Sequence, residues 1–132
     1  MRAEEPPCVW PLPHRSESAG TARRVTRAAL AEWGMDKDTT EEIVLVVSEL
    51  VTNAVEHALP PVALHLERST EGTVHVKVDD GGPAAQEGAW ATTGGQEEHG
   101  RGGGIVALLA TAHGTHSLPA GTAYWADLPV AV

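Results

Sequence analysis

The sequence predicts an α+β fold, a two-layer α/β sandwich with helices on one face of a mixed, largely antiparallel sheet. Two observations predict it. Apolar spacing switches between a helical period and a period of two along the chain, and the elements follow the order helix, helix, strand, strand, loop, helix, strand, strand. A length of 132 residues fits one domain with a core of its own. We therefore expect residues 1–8 to be a loosely ordered N terminus and 9–132 to be a single domain.

Val9 to Leu12 reads as an edge strand, the one place in a sheet that tolerates Pro11 and the following Pro13. From about Glu17 to Trp33, Ala19, Ala22, Val25, Ala29, Leu30 and Trp33 recur at helical spacing, and Gly34 stops the run. Thr39 and Glu42 form a capping box ahead of a second helix that ends before Pro60 and Pro61. Its apolar stripe is Ile43, Val46, Val47, Leu50, Val51, Ala54 and Ala58, enough to cover a sheet.

Val62, Leu64 and Leu66 alternate with Ala63, His65 and Glu67, and after a turn at Ser69 to Gly72 Val74, Val76 and Val78 alternate with His75 and Lys77, which together predict a hairpin. The stretch from Asp80 to Gly100 has neither period, and a loop of that length suggests a lid. Ile105 to Ala112 predicts a third helix. Gly114 to Leu118 and Thr122 to Leu128 then predict strands joined by Pro119-Ala120-Gly121.

Composition narrows the function. The hydrophobic share of 42% with 20% charged residues is that of a globular chain, and Phe is absent, so Val, Leu, Ala and four Trp must fill the core. A net charge of −9 opposes broad neutralisation of nucleic-acid phosphates. No apolar run approaches the roughly 20 residues of a membrane span, and the opening residues lack a secretory core, so a cytoplasmic protein is expected. Cys8 has no second cysteine to pair with. His113 and His116 straddle Gly114 in a strand, where alternation separates them, so zinc is not expected there. Arg23, Arg24 and Arg27 either face an acidic partner or only balance the acidic surface.

Three segments carry chemistry. Glu49 and Asn53 stand one turn apart on one helix face, where a carboxylate can accept a hydroxyl proton and a neutral amide oxygen can bind Mg²⁺. The same pair could simply solvate that face. Asp79 ends a strand ahead of Asp80, Gly81 and Gly82, presenting a carboxylate that an adenine amino group would satisfy beside backbone a ligand can approach, or one that caps its own turn. Gly100-Arg101-Gly102-Gly103-Gly104 runs into an apolar helix, and is either a Gly-rich linker or a loop that places bare N–H groups where phosphate is favoured, with Arg101 adding charge for phosphate or a partner.

The ordered segments Glu49-Leu50-Val51-Thr52-Asn53-Ala54, Val78-Asp79-Asp80-Gly81 and Gly100-Arg101-Gly102-Gly103-Gly104-Ile105-Val106 resemble the N, G1 and G2 boxes of the GHKL (histidine kinase-like) ATPase superfamily. Within it, the chain resembles the RsbW-like anti-sigma factor or serine-protein kinase branch of actinobacteria. The likeness runs from Trp10-Pro11-Leu12-Pro13 to Tyr124-Trp125-Ala126-Asp127-Leu128.

The resemblance implies a Bergerat-type sandwich holding ATP and Mg²⁺. Asn53 would be the metal ligand and Glu49 the base that activates a serine or threonine hydroxyl. Asp79 would accept from the adenine amino group, with Gly81 leaving room beside the base and Thr122 reaching adenine through water. Gly100, Gly102 and Gly104 would wrap the phosphates. The implied activity is transfer of the γ-phosphoryl group to an anti-anti-sigma-type protein, with a sigma factor as second partner and a homodimer as the assembly. Two departures keep open the alternative of a non-catalytic ATP-binding module that regulates by contact: Gly103 replaces a large aliphatic residue, and Pro83 replaces a glycine at the lid entrance.

Overall fold

The structure is a computed structural model that describes residues 8–69, 72–83 and 104–130. Strand β1 (Cys8–Leu12) is followed by helices α1 (Ser18–Glu32) and α2 (Lys37–His57), the hairpin β2 (Val62–Ser69) and β3 (Thr73–Asp80), a short helix α3 at 104–109, and the hairpin β4 (Ala112–Leu118) and β5 (Gly121–Pro129). The sheet order is β1-β2-β3-β5-β4. Every pairing among these strands is antiparallel, so the expected mixed character is absent from them. The cause is the second hairpin, which lays β5 against β3 and leaves β4 outside.

Alternation decides which side of the sheet meets the helices. Val62, Leu64, Leu66, Val74, Val76, Val78, Ala126 and Leu128 are buried and share one core with Ile43, Val46, Val47, Leu50, Val51 and Ala54 of α2 and Ala22, Ala29 and Leu30 of α1. Removing that much aliphatic surface from water is the main drive to fold. Of the stripe expected on α2, only Ala58 falls outside the core, because it is the C-cap residue in extended conformation.

Helix boundaries depart slightly from expectation. The N-cap of α2 is Asp36, whose carboxylate accepts from the Thr39 amide at 3.2 Å, so Thr39 lies inside the first turn. Asp36 lies three residues earlier and satisfies an orphan N–H of that turn. Beyond the Trp33 cap of α1 the chain turns at Gly34, whose φ of 75° allows Met35 N–H to bond Leu30 O and Gly34 N–H to bond Ala31 O, both at 3.0 Å. Arg27 holds Glu41 through two hydrogen bonds of 3.1 and 3.0 Å, which bridge α1 to α2. Helix α3 stops short of Ala112, because Thr111 N–H donates to Asp127 O at 2.8 Å and turns the chain into β4.

Candidate functional site

Glu49 and Asn53 lie on α2 beside the buried stripe, both half-buried, and neither side chain has a hydrogen bond to another described residue. At the far end of α2 the backbone is sewn to the segment that leaves β3. Leu59 N–H donates to Gly82 O at 2.8 Å, Gly81 N–H donates to Leu59 O at 2.7 Å, and Ala58 bridges Pro83. His14 adds a bond of 2.7 Å from its Nε2 to Ala58 O. The helix bearing Asn53 and the turn after β3 are thus one hydrogen-bonded unit.

Glycines make that approach possible. A Cβ on Gly81 would stand 2.1 Å from Pro60 O, and one on Gly121 would stand 1.9 Å from Asp80 O. Gly82 has a φ of 98°, which suits glycine alone. Gly81 therefore serves close backbone packing, where the sequence suggests a place beside a ligand.

The two adjacent aspartates point to opposite faces of the sheet, and the carboxylate on the helix side is Asp80. Asp80 continues the inward series Val74, Val76 and Val78, is 5% exposed, and accepts the Gly82 amide at 2.8 Å. Burial pushes its carboxyl above the usual carboxylate range, with the N–H groups of Gly82 and Thr122 opposing and the charge of Asp79 adding. Asp79 faces the other way. Its carboxylate meets His65 Nε2 at 2.9 Å and Lys77 Nζ at 4.0 Å on the side of the sheet away from the helices. The expectation that Asp79 serves the same site as Asn53 is corrected accordingly. Period two in Val74-Val76-Val78-Asp80-Gly82 is the signal that distinguishes them.

Thr122 pairs directly with Asp80 across β3 and β5, so the two share the inward face. Tyr124, opposite Val78, is the next residue along that face. Burial and the Asp80 charge raise its phenol above the usual tyrosine range. Gly104 opens α3 with nothing within 4 Å of where a Cβ would stand, and Val106 fixes that helix to the shared core. Gly100, Arg101, Gly102 and Gly103 lie outside the described residues, as does all but the entrance of the expected lid.

The opposite sheet face has its own polar order. Trp125 stacks between His75 and His116 at centroid distances of 5.7 and 5.8 Å, over Gly114, where a Cβ would come within 3.1 Å of the indole. His75 also bonds Asp127. His113 pairs with Ala126 and His116 with Ala123, so the two lie on opposite faces. Among the described residues no group of three His, Cys, Asp or Glu side chains could hold a metal ion, and no helix is long and apolar enough to cross a membrane.

The donor set near α2 fits a metal that arrives with phosphates. Mg²⁺ keeps several waters and needs few protein oxygens, and Asn53 is half-buried with no side-chain hydrogen bond to another described residue. Asp80 is a desolvated acceptor suited to a purine amino group.

Comparisons with known proteins agree with the fold. The profile described as Histidine kinase-like ATPase domain matches residues 12–126. No curated protein matches. Among solved structures, the RsbU and RsbW domains of Rv1364c from Mycobacterium tuberculosis superpose with a TM-score of 0.74 at 25% identity, covering 98% of this chain. The chain spans 34% of that structure's length. With most of its length inside the family profile, the chain belongs to the histidine kinase-like ATPase domain family.

Proposed function

We propose that the chain binds ATP with Mg²⁺ and transfers the γ-phosphoryl group to a serine or threonine of a regulatory protein, in the manner of an RsbW-type anti-sigma kinase. The observation that supports it most is the buried Asp80 carboxylate, paired with Thr122 and bonded through its turn to the end of α2. Asp80, in place of Asp79, accepts from the adenine amino group. Asn53 supplies the protein oxygen to Mg²⁺, and Gly100, Arg101, Gly102 and Gly104 hold the phosphates. ATP brings the transferable phosphoryl group and ADP as leaving group. Glu49 accepts the proton of the attacking hydroxyl.

Partners are an anti-anti-sigma-type substrate and a sigma factor, and the protein acts in the cytoplasm. A second reading, contact regulation without turnover, is favoured by the bridge from Pro83 to Ala58, which tethers the entrance of the expected lid.

Calorimetry with ATP, with and without Mg²⁺, followed by labelled ATP and candidate regulators, tests both readings. Glu49→Ala is expected to keep nucleotide affinity and to lower transfer by roughly 10²–10⁴-fold, the usual worth of a general base. Asn53→Ala is expected to remove the Mg²⁺ dependence of binding. Transfer by Glu49→Ala at the parental rate would show that the base lies elsewhere, and ATP binding without transfer to any regulator favours the contact module.

A further inference from the structure

We propose that Tyr124 is a specificity-determining residue of the nucleotide site, its ring closing the sheet-side end of the purine pocket below Asp80. The inference rests on the ATP reading above. It concerns a residue to which neither the motifs nor the family match gives a role.

Position carries the proposal. Asp80 and Thr122 form one cross-strand pair, and Val78 and Tyr124 form the next pair on the same face. Same-face neighbours on a strand lie about 7 Å apart, at roughly 3.4 Å per residue, within the reach of an aromatic side chain. A purine held by Asp80 and Thr122 therefore has the Tyr124 ring as its next neighbour along the sheet.

Chemistry separates Tyr124 from the rest of that face. The other inward residues of β3 and β5 in this region, Val76, Val78, Ala126 and Leu128, are aliphatic and at most 1% exposed. Tyr124 is the single tyrosine of a chain without Phe, and it packs against the core while remaining half-buried. It thus stands where the aliphatic core gives way to the polar pair. Its phenol is raised by burial and, after that, by the Asp80 charge, which agrees with that closeness. A flat ring at this place fills the space that a group on the purine amino nitrogen would need, so the site takes unsubstituted adenine and refuses adenine enlarged there. An amphipathic ring suits such a boundary between apolar core and polar pair.

The test compares ATP with N6-benzyl-ATP by calorimetry on the full chain. The parent is expected to bind ATP and to exclude N6-benzyl-ATP. Tyr124→Val, which keeps a residue suited to a strand, is expected to bind N6-benzyl-ATP at least about tenfold more tightly than the parent, while Tyr124→Phe retains the exclusion. Tyr124→Leu gives the same comparison where the valine variant does not fold. A residue that only fills the core would change stability without admitting the larger ligand. The proposal is overturned if the parent binds both nucleotides equally, or if folded small-residue variants that still bind ATP exclude N6-benzyl-ATP. Absence of ATP binding by the parent removes the underlying reading itself, an outcome distinct from the other two.

Discussion

Asp80→Asn is expected to lower ATP affinity by roughly a hundredfold, while Asp79→Asn stays within about threefold of the parent. The carboxamide introduced at Asp80 would keep its carbonyl oxygen toward the Gly82 amide, which now bonds the carboxylate at 2.8 Å. Its amino group would then face the adenine amino group, donor against donor. Asp79 is spared because its carboxylate bonds His65 on the other side of the sheet. Calorimetric titration of both variants with ATP decides between the two, and equal losses would mean that the two faces of β3 are not separated as described.

The same substitution should raise stability. Burial lifts the Asp80 carboxyl above its unfolded value, so the folded chain binds this proton more tightly than the unfolded chain. That contribution is fully present below the unfolded value near 3.8 and is lost as pH rises through the folded one. At neutral pH an ionised Asp80 therefore opposes folding. Asp80→Asn is expected to melt above the parent at neutral pH, with the margin closing toward the acid end. A lower melting point at neutral pH would show that the amide hydrogen bonds to the carboxylate outweigh its desolvation.

Gly121→Ala is expected to cost about 3 kcal/mol and to lower the melting temperature by roughly 10 °C. Its Cβ would lie 1.9 Å from Asp80 O, 2.9 Å from Asp80 C and 3.0 Å from Gly81 Cα, all backbone atoms that no rotamer change can move aside. Relief requires β5 to separate from β3 at the Asp80–Thr122 pair, so nucleotide affinity should fall with stability. Gly104→Ala makes the control for stability, since nothing lies within 4 Å of its Cβ position. Thermal melts of the two variants should differ widely, and matching melts would contradict the close approach at Gly121.

Much of the layered fold was legible because local periodicity reports it. The helical spacing of Ile43, Val46, Val47, Leu50, Val51 and Ala54 marked the face of α2 that enters the core. The alternation of Val62, Leu64 and Leu66 with Val74, Val76 and Val78 marked the hairpin and its inward side. Helix ends were less legible. Asp36 and Thr39 are both competent caps, and only the observed bond selects Asp36.

Within the candidate site, residue type and spacing make Glu49 and Asn53 candidates, and the family likeness gives them roles and adds Thr122, whereas Asp79 stands out over Asp80 by its place directly after the last strand valine. Parity with the buried valines selects Asp80, and the chain carried that signal in Val74-Val76-Val78-Asp80. The fit of Gly81 under Pro60 and of Gly121 on Asp80 was invisible to any local pattern.

The sequence by itself determined where helices and strands form and which side of each is apolar, because those properties depend on neighbours a few residues away. Only the tertiary structure decided that β5 enters between β3 and β4, that the end of α2 bonds the turn at Gly82, and that Tyr124 stands next to Asp80. Those facts depend on backbone and side-chain contacts between segments far apart in the chain, and such contacts are fixed by which pairings bury the valine face and satisfy the N–H and C=O groups together.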